Sequence, residues 1–492
     1  MDLRSFARNG LLGLAIPVVE KGTALLLVVA LARMLSPLDY GRYSFLVAYL
    51  SLFQVLGDLG TDAILVRRLA AHPAQRRSLV AGALGLRSAL ALAAGAGAVL
   101  LAPWAADTAE VGLHGRTALA AAALLLVGQP GYRALLRAEL RIGAVLGVAT
   151  VTTALTLTLT AAALAAGTGI DGVFAALLAA NASGFAFAAW LARDLFRPAL
   201  RFDPALWREL LREAWPIGAN TLVFALGVRI APLLLMRLSG PVEVGFFSSA
   251  GRLVDALNLV ADGAMVTLYP LFVRFAAARP DALRALAELA AKGVGTALLC
   301  IVLILGPTGD LVMATLFRPE FAVAGTALAV LAWSAVLAAL GAVYGNLLVA
   351  VGRQAILLRV NALGALLQVT LQLVLIPWLG LTGAAVGVVA TSVASHATLY
   401  ALGETRTWVR PCVRALAGPA LLAMLLLTLC RALPLAATGR AAVSVVAFLT
   451  ILALTGLAGP ADLRRLRTLL RASGPPVDGD GDSAATARPV ES

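Results

Sequence analysis

Apolar stretches of about 20 residues recur along almost the whole chain, each bounded by charged residues or by Gly and Pro. A helix of that length rises about 30 Å, which matches the hydrocarbon core of a bilayer. The pattern therefore predicts fourteen transmembrane helices. Their predicted limits are 10–33, 42–66, 79–101, 116–136, 143–166, 172–192, 215–237, 246–272, 293–316, 326–350, 356–377, 381–403, 413–430 and 440–458.

The composition agrees with this pattern. Residues of the AVILMFWYC set make up 61% of 492 positions, charged residues make up 13%, and the mean hydropathy is +0.92. Soluble domains are roughly half apolar and a quarter charged. The composition therefore excludes a soluble protein and predicts an all-α integral membrane protein. The first apolar run continues past Arg33 without a small-residue cleavage site, which favours a transmembrane helix over a removed signal peptide.

Basic residues are concentrated in alternate loops. The net charge is +13, but the basic residues alternate with the apolar segments, which argues against a nucleic-acid surface. The basic set of loops holds Arg67, Arg68, Arg76, Arg77, Arg133, Arg137, Arg141, Arg193, Arg197, Arg201, Arg208, Arg212, Arg274, Arg279, Arg284, Arg353, Arg406, Arg410 and Arg414. The opposite set holds scattered residues such as Arg116, Arg318, Arg431 and Arg440. By the positive-inside rule, both termini are predicted to be cytoplasmic.

Three short motifs occur twice, in the same order, in two halves of the apolar region. They are LSPLDYGRYS at 35–44 with LSGPVEVGFFS at 238–248, YRALL at 132–136 with YGNLL at 344–348, and GIDG at 169–172 with GLTG at 380–383. The offsets of about 204 to 212 residues place helices 1–6 and 7–12 in register. Since each half has an even number of helices, we predict two six-helix lobes related by a pseudo-twofold axis along the membrane normal.

Helices 13 and 14 stand outside this duplication. The predicted domain limits are an N-terminal lobe at 1–200, a C-terminal lobe at 201–405, two additional helices at 406–460, and a basic, then disordered, cytoplasmic tail at 461–492. No metal or other cofactor is predicted, because the cysteines and histidines lack ligand spacing. These residues are Cys300, Cys412, Cys430, His72, His114 and His396.

Polar side chains inside the predicted helices must face a partner or a wet cavity, because an unpaired polar group in hydrocarbon costs several kcal/mol. The candidates are Glu20 and Lys21 on helix 1, Asp58 on helix 2, Arg229 on helix 7, and Arg252, Asp255, Asn258 and Asp262 on helix 8. The helix 8 residues fall on one stripe of the helix. We therefore predict that helices 1, 2, 7 and 8 form the walls of a central cavity.

These assignments have structural alternatives. Arg252 and Asp255, three residues apart, also fit an intrahelical pair that neutralises itself. A supporting ion pair between helices is the alternative for Glu20 or Lys21, and a helix-end or packing role is the alternative for Asp58.

Other polar residues are expected to have structural roles. Arg87 is predicted to lie near the cytoplasmic end of helix 3 and to extend towards water. Turn positions on the outer face are predicted for Asp39, Gly41, Glu243 and Gly245. Hydrogen bonds between helices are predicted for Asn346, Asn361, Gln368, Gln372 and His396.

Two blocks of the chain resemble a known family. The first is LARMLSPLDYGRY at 31–43, followed by DLG at 58–60 and an Arg pair at 67–68; the second is LLVAVGRQ at 347–354, followed by Asn361 and by IPWLGLTGAA at 376–385. Both resemble bacterial polysaccharide biosynthesis proteins of the oligosaccharide flippase type, over roughly residues 5 to 405. The superfamily also contains lipid II flippases and MATE multidrug exporters. The resemblance implies two six-helix lobes around a V-shaped cavity, alternating access, and a bacterial cytoplasmic membrane location.

The resemblance also implies a substrate in which sugars are linked through pyrophosphate to a polyprenyl lipid. Such a substrate needs cations for its phosphates, so we expect Lys21, Arg229 and Arg252, together with Asn258, to bind it. A coupling proton or sodium ion, or charge balance for those cations, is expected at Glu20, Asp58, Asp255 and Asp262. Membrane lipids, a polysaccharide polymerase and glycosyltransferases are the expected partners, and nucleic acid is not.

Three alternatives remain open. The chain is also compatible with a lipid II-type flippase or with a cation-coupled exporter of small molecules; the two extra helices favour a flippase. A membrane glycosyltransferase or polymerase is disfavoured, because the predicted outer loops are short and no constellation of nucleophile and base, phosphate-binding Gly-rich loop or metal cluster is visible in the sequence.

Overall fold

A computed structural model of the protein describes residues 3–71, 76–105, 113–126, 131–195 and 202–457, together with 459, 462, 464, 465, 467 and 468. Within these residues all regular secondary structure is helical, which confirms the predicted all-α fold. The part of the predicted tail beyond 468 lies outside the described residues.

Long helices follow one another through the described chain. They are α1 (Leu3–Met34), α2 (Pro37–Asp58), α3 (Thr61–Ala71), α4 (Arg76–Ala105), α5 (Leu113–Ala121), α6 (Gly131–Ala138), α7 (Ile142–Ala165), α8 (Gly169–Leu191), α9 (Pro204–Leu238), α10 (Pro241–Ala278), α11 (Pro280–Leu316), α12 (Gly325–Ala350), α13 (Gln354–Ala401), α14 (Gly403–Arg431) and α15 (Ala437–Thr455). A π-helical turn, Ala122–Leu126, follows α5, and a 3-10 helix, Pro319–Ala324, precedes α12.

Eleven stretches of the described chain are long and apolar enough to cross a bilayer. One of them is the 48-residue helix α13, which breaks at Gly380, where φ is 51° and ψ is −129°. It therefore corresponds to two of the predicted helices. The remaining two predicted helices correspond to α1 and to α5 together with α6. The prediction of about fourteen membrane helices is confirmed.

The second helix of each half begins earlier than predicted. The sequence predicted starts at 42 and 246, whereas α2 begins at Pro37 and α10 at Pro241. Proline is tolerated in the first turn of a helix, where its missing N–H would have no partner, and Ser36 caps α2 by accepting from the backbone N–H of Asp39 at 3.1 Å. The predicted turn residues Asp39, Gly41, Glu243 and Gly245 are therefore helical, and the assignment to turns is wrong.

We call α1–α8 the N-lobe and α9–α13 the C-lobe. One hydrophobic cluster, which includes Leu84 and Leu135, lies mainly within the N-lobe. A second cluster, which includes Phe272 and Leu299, joins the C-lobe to α14 and α15. The third draws residues from both lobes, so that one extensive apolar contact holds them together.

The lobes meet most closely where α2 and α10 begin, and we call this the distal end of the bundle. A Cβ atom on Gly41 would lie 1.7 Å from the carbonyl oxygen of Pro241, and one on Gly245 would lie 2.5 Å from that of Pro37. The two glycines therefore let the duplicated helices cross with their backbones in contact. Arg33 adds a link between the lobes, donating 2.8 Å from Nε to the Leu316 carbonyl.

At the opposite, proximal end, the first turns of α9 extend onto the N-lobe. Arg67 donates to Glu213 at 2.6 Å, and Arg68 bonds Glu213 and, at 2.8 Å, Glu209. Trp207 also donates 2.9 Å from its indole to the Gly82 carbonyl. The lobes are thus in contact at both ends of the bundle.

Candidate functional site

A cavity of about 730 Å³ lies within the C-lobe and reaches α2. Its charged lining consists of Arg229 on α9 and of Arg252 and Asp255 on α10, and Asn258 lines the same wall. On α10 these residues follow one another at intervals of three, which keeps them on one face of the helix. The predicted polar stripe of α10 therefore lines a cavity.

A second cavity, of about 450 Å³, lies beside the first between α1, α10 and α12. Arg252, Asp255 and Asn258 line both cavities, so this part of α10 is their common wall. Lys21 and Asp262 face each other here: Nζ donates to Oδ2 at 2.7 Å, and each side chain is about half exposed. Since Lys21 is in the N-lobe and Asp262 in the C-lobe, this ion pair links the lobes.

The combined lining carries a surplus of positive charge. Its cations are Lys21, Arg229 and Arg252, and its anions are Asp255 and Asp262. The intrahelical pair of Arg252 and Asp255 is loose, because the nearest N···O distance is 3.9 Å. A loose pair leaves most of the guanidinium donors of Arg252 available to an anion.

The wall of the larger cavity that α13 contributes carries neutral polar side chains. Gln368 and Thr391 line it, and each is more than nine-tenths buried. Among the described residues, Nε2 of Gln368, Oγ1 of Thr391 and Oδ1 of Asn258 have no hydrogen-bond partner. Buried amide and hydroxyl groups without partners are costly, so this wall is suited to a ligand that brings its own hydroxyl groups.

Two predicted site residues lie elsewhere. Glu20 accepts from Arg133 of α6 at 3.1 Å, so it forms a pair within the N-lobe, and it lines neither cavity. Asp58 is the last residue of α2 and accepts from Arg87 of α4 at 2.5 Å. The contact of Glu20 matches the alternative of a supporting ion pair between helices, and the position of Asp58 matches the alternative of a helix-end role.

The prediction that Arg87 extends towards water is wrong. Its side chain is only 3% exposed and bonds Asp58 and, at 3.2 Å, Asp62, which Arg137 bonds in turn at 3.1 Å. The two carboxylates, one on each side of the break between α2 and α3, stabilise the guanidinium inside the lobe. A charge so placed is satisfied without reaching solvent.

Helices α12 and α13 also form walls of the cavity, which the sequence did not predict. Three polar residues of α13 that line it, Asn361, Gln368 and His396, are among those predicted to form hydrogen bonds between helices. That interpretation fits His396, which bonds Tyr344 and the Leu337 carbonyl. It does not describe Gln368, whose amide nitrogen is unpartnered among the described residues.

The fold is shared with known transporters. The solved structure of the lipid II flippase MurJ, in an inward closed conformation, is 10% identical, with a TM-score of 0.71 over 89% of this chain and 98% of that one. A MATE family multidrug resistance transporter is 17% identical in its inward-facing structure, with a TM-score of 0.58 over 83% and 99%. An outward-facing structure of a MATE family multidrug resistance transporter gives a TM-score of 0.54 at 17% identity over 84% of this chain and 95% of that one.

No curated protein sequence matches the chain. The family model of polysaccharide biosynthesis proteins matches residues 6–276. Because this is more than half of the 492 residues, the chain belongs to the polysaccharide biosynthesis protein family of membrane transporters.

Proposed function

We propose that this protein moves a glycan, linked through pyrophosphate to a polyprenyl lipid, across the bacterial cytoplasmic membrane. The observation that carries the proposal is the cationic wall shared by the two cavities, formed by Arg252 with Arg229 and Lys21. Family membership supports a role in polysaccharide synthesis. The likeness to a lipid II flippase supports a substrate of the same chemical design, in which a polar headgroup is joined to a long lipid by phosphates.

Different residues of the lining would bind different parts of the substrate. Guanidinium groups pair with phosphate oxygens through two parallel hydrogen bonds, so Arg229 and Arg252 would hold the pyrophosphate. The neutral groups of Asn258, Gln368 and Thr391 would accept and donate to sugar hydroxyls. The polyprenyl chain would remain in lipid between the lobes, where it needs no polar contact.

Transport would follow from exchange of the contacts that link the lobes. An anionic headgroup that competes for Lys21 weakens its pair with Asp262, which crosses the lobe interface. Closure of one end and opening of the other then moves the headgroup between the two sides. Asp255 and Asp262 remain the candidates for a coupling proton or sodium ion, and a glycosyltransferase and a polymerase would supply and consume the glycan.

The proposed orientation places the proximal end in the cytoplasm. Arg67, Arg68 and Arg137 lie at this end, which agrees with the positive-inside rule. The distal end, where Gly41 meets Gly245, then faces outward. In this orientation both chain termini are cytoplasmic.

Proteoliposomes test the function directly. The probe is a polyprenyl-pyrophosphate disaccharide with a fluorescent label, whose outward movement is followed by chemical quenching. Each charge-assisted hydrogen bond is worth about 1.5–3 kcal/mol, so Arg229→Ala and Arg252→Ala should each slow transfer by about tenfold or more. Arg141→Ala is the control, because its exposed pair with Asp194 lies away from the cavities.

Unchanged transfer in both cavity variants would remove these arginines from the substrate site. A small-molecule exporter is the second candidate, favoured by the MATE fold. Vesicles loaded with an organic cation such as ethidium distinguish it: transport of ethidium without movement of the lipid-linked disaccharide or of lipid II would replace the flippase proposal.

A further inference from the structure

A pocket of about 430 Å³ lies at the distal end, away from the cavities described above. It is formed where α14 and α15 pack against the C-lobe. Its floor is made of small residues: a Cβ on Gly309 would lie 2.6 Å from the Gly325 carbonyl oxygen, so α11 and α12 are in backbone contact. Trp333 lines one side, and Arg431 and Arg440 line the side contributed by the two additional helices.

The two arginines differ from the other arginines that the sequence placed in the outer loops. Arg116 donates to Asp171 at 2.8 Å, and Arg318 pairs with Glu320 at 3.0 Å. Neither Arg431 nor Arg440 has a carboxylate partner in the part of the chain that the structure describes. The pocket therefore brings together two guanidinium groups that have no direct ion-pair partner among the described residues.

The backbone of Arg440 is hydrogen-bonded within its own helix, α15. Its backbone N–H donates to the Ala436 carbonyl at 2.9 Å, and its carbonyl accepts from the buried Ser444 hydroxyl at 2.7 Å. The Nε atom is buried, yet among the described residues it has no acceptor. A guanidinium with an unused buried donor is suited to an anion that accepts two hydrogen bonds side by side, such as a phosphate.

The surroundings favour a ligand with an apolar part. Leu311 of α11, and Leu425 and Leu429 of α14, are more than half exposed on the helices that form the pocket. The one carboxylate in the lining, that of Asp310, lies on the α11–α12 side: a Cβ on Gly325 would be 2.1 Å from its Oδ1. The lining thus keeps a net positive charge, and apolar side chains are exposed on the helices that form it.

We propose that this distal pocket binds the phosphate of an anionic lipid headgroup from the leaflet on the distal side. Two sources share this chemistry: the phospholipids of that leaflet, and the polyprenyl pyrophosphate that the proposed function delivers there. Either would give α14 and α15, which lie outside the duplication, a role in lipid recognition. The inference rests on the pocket alone and does not require the proposed function.

Native mass spectrometry of the purified full-length protein tests the proposal. Phosphatidylglycerol and undecaprenyl pyrophosphate are the two phosphate probes, and diacylglycerol with the same acyl chains as the phosphatidylglycerol is the neutral probe. We expect at least one phosphate probe to bind more tightly than diacylglycerol. In Arg440→Gln the affinity for that phosphate probe should fall about tenfold, because one or two charge-assisted hydrogen bonds are lost. In Arg431→Gln/Arg440→Gln it should fall further.

Arg116→Gln is the matched control, since it removes the same charge from the distal end but from a paired residue. Binding of phosphatidylglycerol that is lost in the double variant identifies a phospholipid, and selective loss of undecaprenyl pyrophosphate identifies the carrier. Phosphate binding that is equal in the double variant and the wild type, or that falls as much in Arg116→Gln, would overturn the proposal. Arg440→Lys, which keeps the charge, should retain part of the affinity and shows that the pocket is intact.

Discussion

The two copies of the duplicated second helix carry an aspartate at the same position and use it differently. Asp58 and Asp262 are each the 22nd residue counted from the proline that begins α2 or α10. Asp58 ends α2 and accepts from Arg87 inside the N-lobe, where the chain breaks at Leu59 with φ 45°. Asp262 lies in an uninterrupted helix and reaches across the interface to Lys21.

The backbone explains why the copies differ. Gly218 of α9 packs against the break: a Cβ there would lie 2.6 Å from the Leu59 carbonyl oxygen. In the N-lobe, the break and its charge cluster join α2, α4 and α6 into one unit. In the C-lobe, α10 continues past the equivalent position and presents its acids to a cavity. One copy of the duplicated helix thus uses its aspartate inside the N-lobe, and the other uses it at the interface between the lobes.

Removal of Arg87 should have the largest effect on stability. Arg87→Ala leaves Asp58 and Asp62 beside a buried gap, and breaking such a pair costs about 3 kcal/mol, the low end of the usual range because the acids are partly exposed. Thermal unfolding of the purified protein should show a clearly lower melting temperature.

Lys21→Ala makes the matching change at the other aspartate, because it removes the partner of Asp262 at the lobe interface. Its pair with Asp262 is half exposed, so the melting temperature should change little. If Arg87→Ala melts with the wild type, or if Lys21→Ala is the more destabilised of the two, the division of roles between the two aspartates is wrong.

The crossing of α2 and α10 should be disturbed equally by a larger residue at Gly41 or at Gly245. Gly41→Ala and Gly245→Ala each place a Cβ against the backbone of the other lobe, and overpacking of this kind costs about 1–3 kcal/mol. We expect both to loosen the distal end, measured as faster labelling of a cysteine introduced at Tyr40, which is buried there.

Gly115→Ala is the control, since no atom lies within 4 Å of its Cβ position. The cysteines Cys300, Cys412 and Cys430 are replaced by Ala in all these variants. Labelling that rises in one glycine variant and not in the other would show that the crossing is not reciprocal.

The sequence predicted the helices and the duplication well, because apolar length and repeated motifs are local properties of the chain. The resemblance carried by 31–43 is confirmed by family membership. The domain limits at 200, 405 and 460 stay a prediction. The partner of Arg87 was not predictable in the same way: Asp58 and Asp62 are 29 and 25 residues away, and many arrangements of three helices satisfy that spacing.

Only the part of the candidate site that lies on one helix could be predicted, because local patterns do not show which helices meet. The stripe from Arg252 to Asp262 is a property of one helix and was visible in its periodicity. The contribution of Gln368 and Thr391 depends on how α13 folds back at Gly380 against α10 and α12, which no single-helix pattern contains. The substrate roles of all these residues remain predictions.

The Lys21–Asp262 pair should affect conformation more than stability. An exposed pair contributes about 0.2–1 kcal/mol, so Lys21→Asp should shift the melting temperature slightly, while repulsion from Asp262 separates α1 from α10. The labelling rate of a cysteine at Asn258→Cys, in the wall shared by the cavities, should rise when Lys21→Asp is added. It should return towards the rate of Asn258→Cys alone when Lys21→Asp/Asp262→Lys is added instead. A double variant as reactive as the single one would show that the pair does not link the lobes.

The smallest expected effect compares Arg141 and Arg353, which each lie five residues after the end of the YRALL or YGNLL motif. Arg141 donates to the carboxylate of Asp194 at 2.7 Å, whereas Arg353 donates to the backbone carbonyl of Glu404. The hydrogen bond from Arg141 lowers the pKa of Asp194, so its stabilisation is present above the ordinary Asp value of about 3.9 and is lost as the pH falls through the folded-state pKa. A carbonyl acceptor does not titrate. Arg141→Gln should therefore melt slightly below the wild type at neutral pH and converge with it in acid, while any deficit of Arg353→Gln should persist. Parallel pH profiles for both variants would mean that the Asp194 carboxylate contributes nothing to holding the N-lobe together.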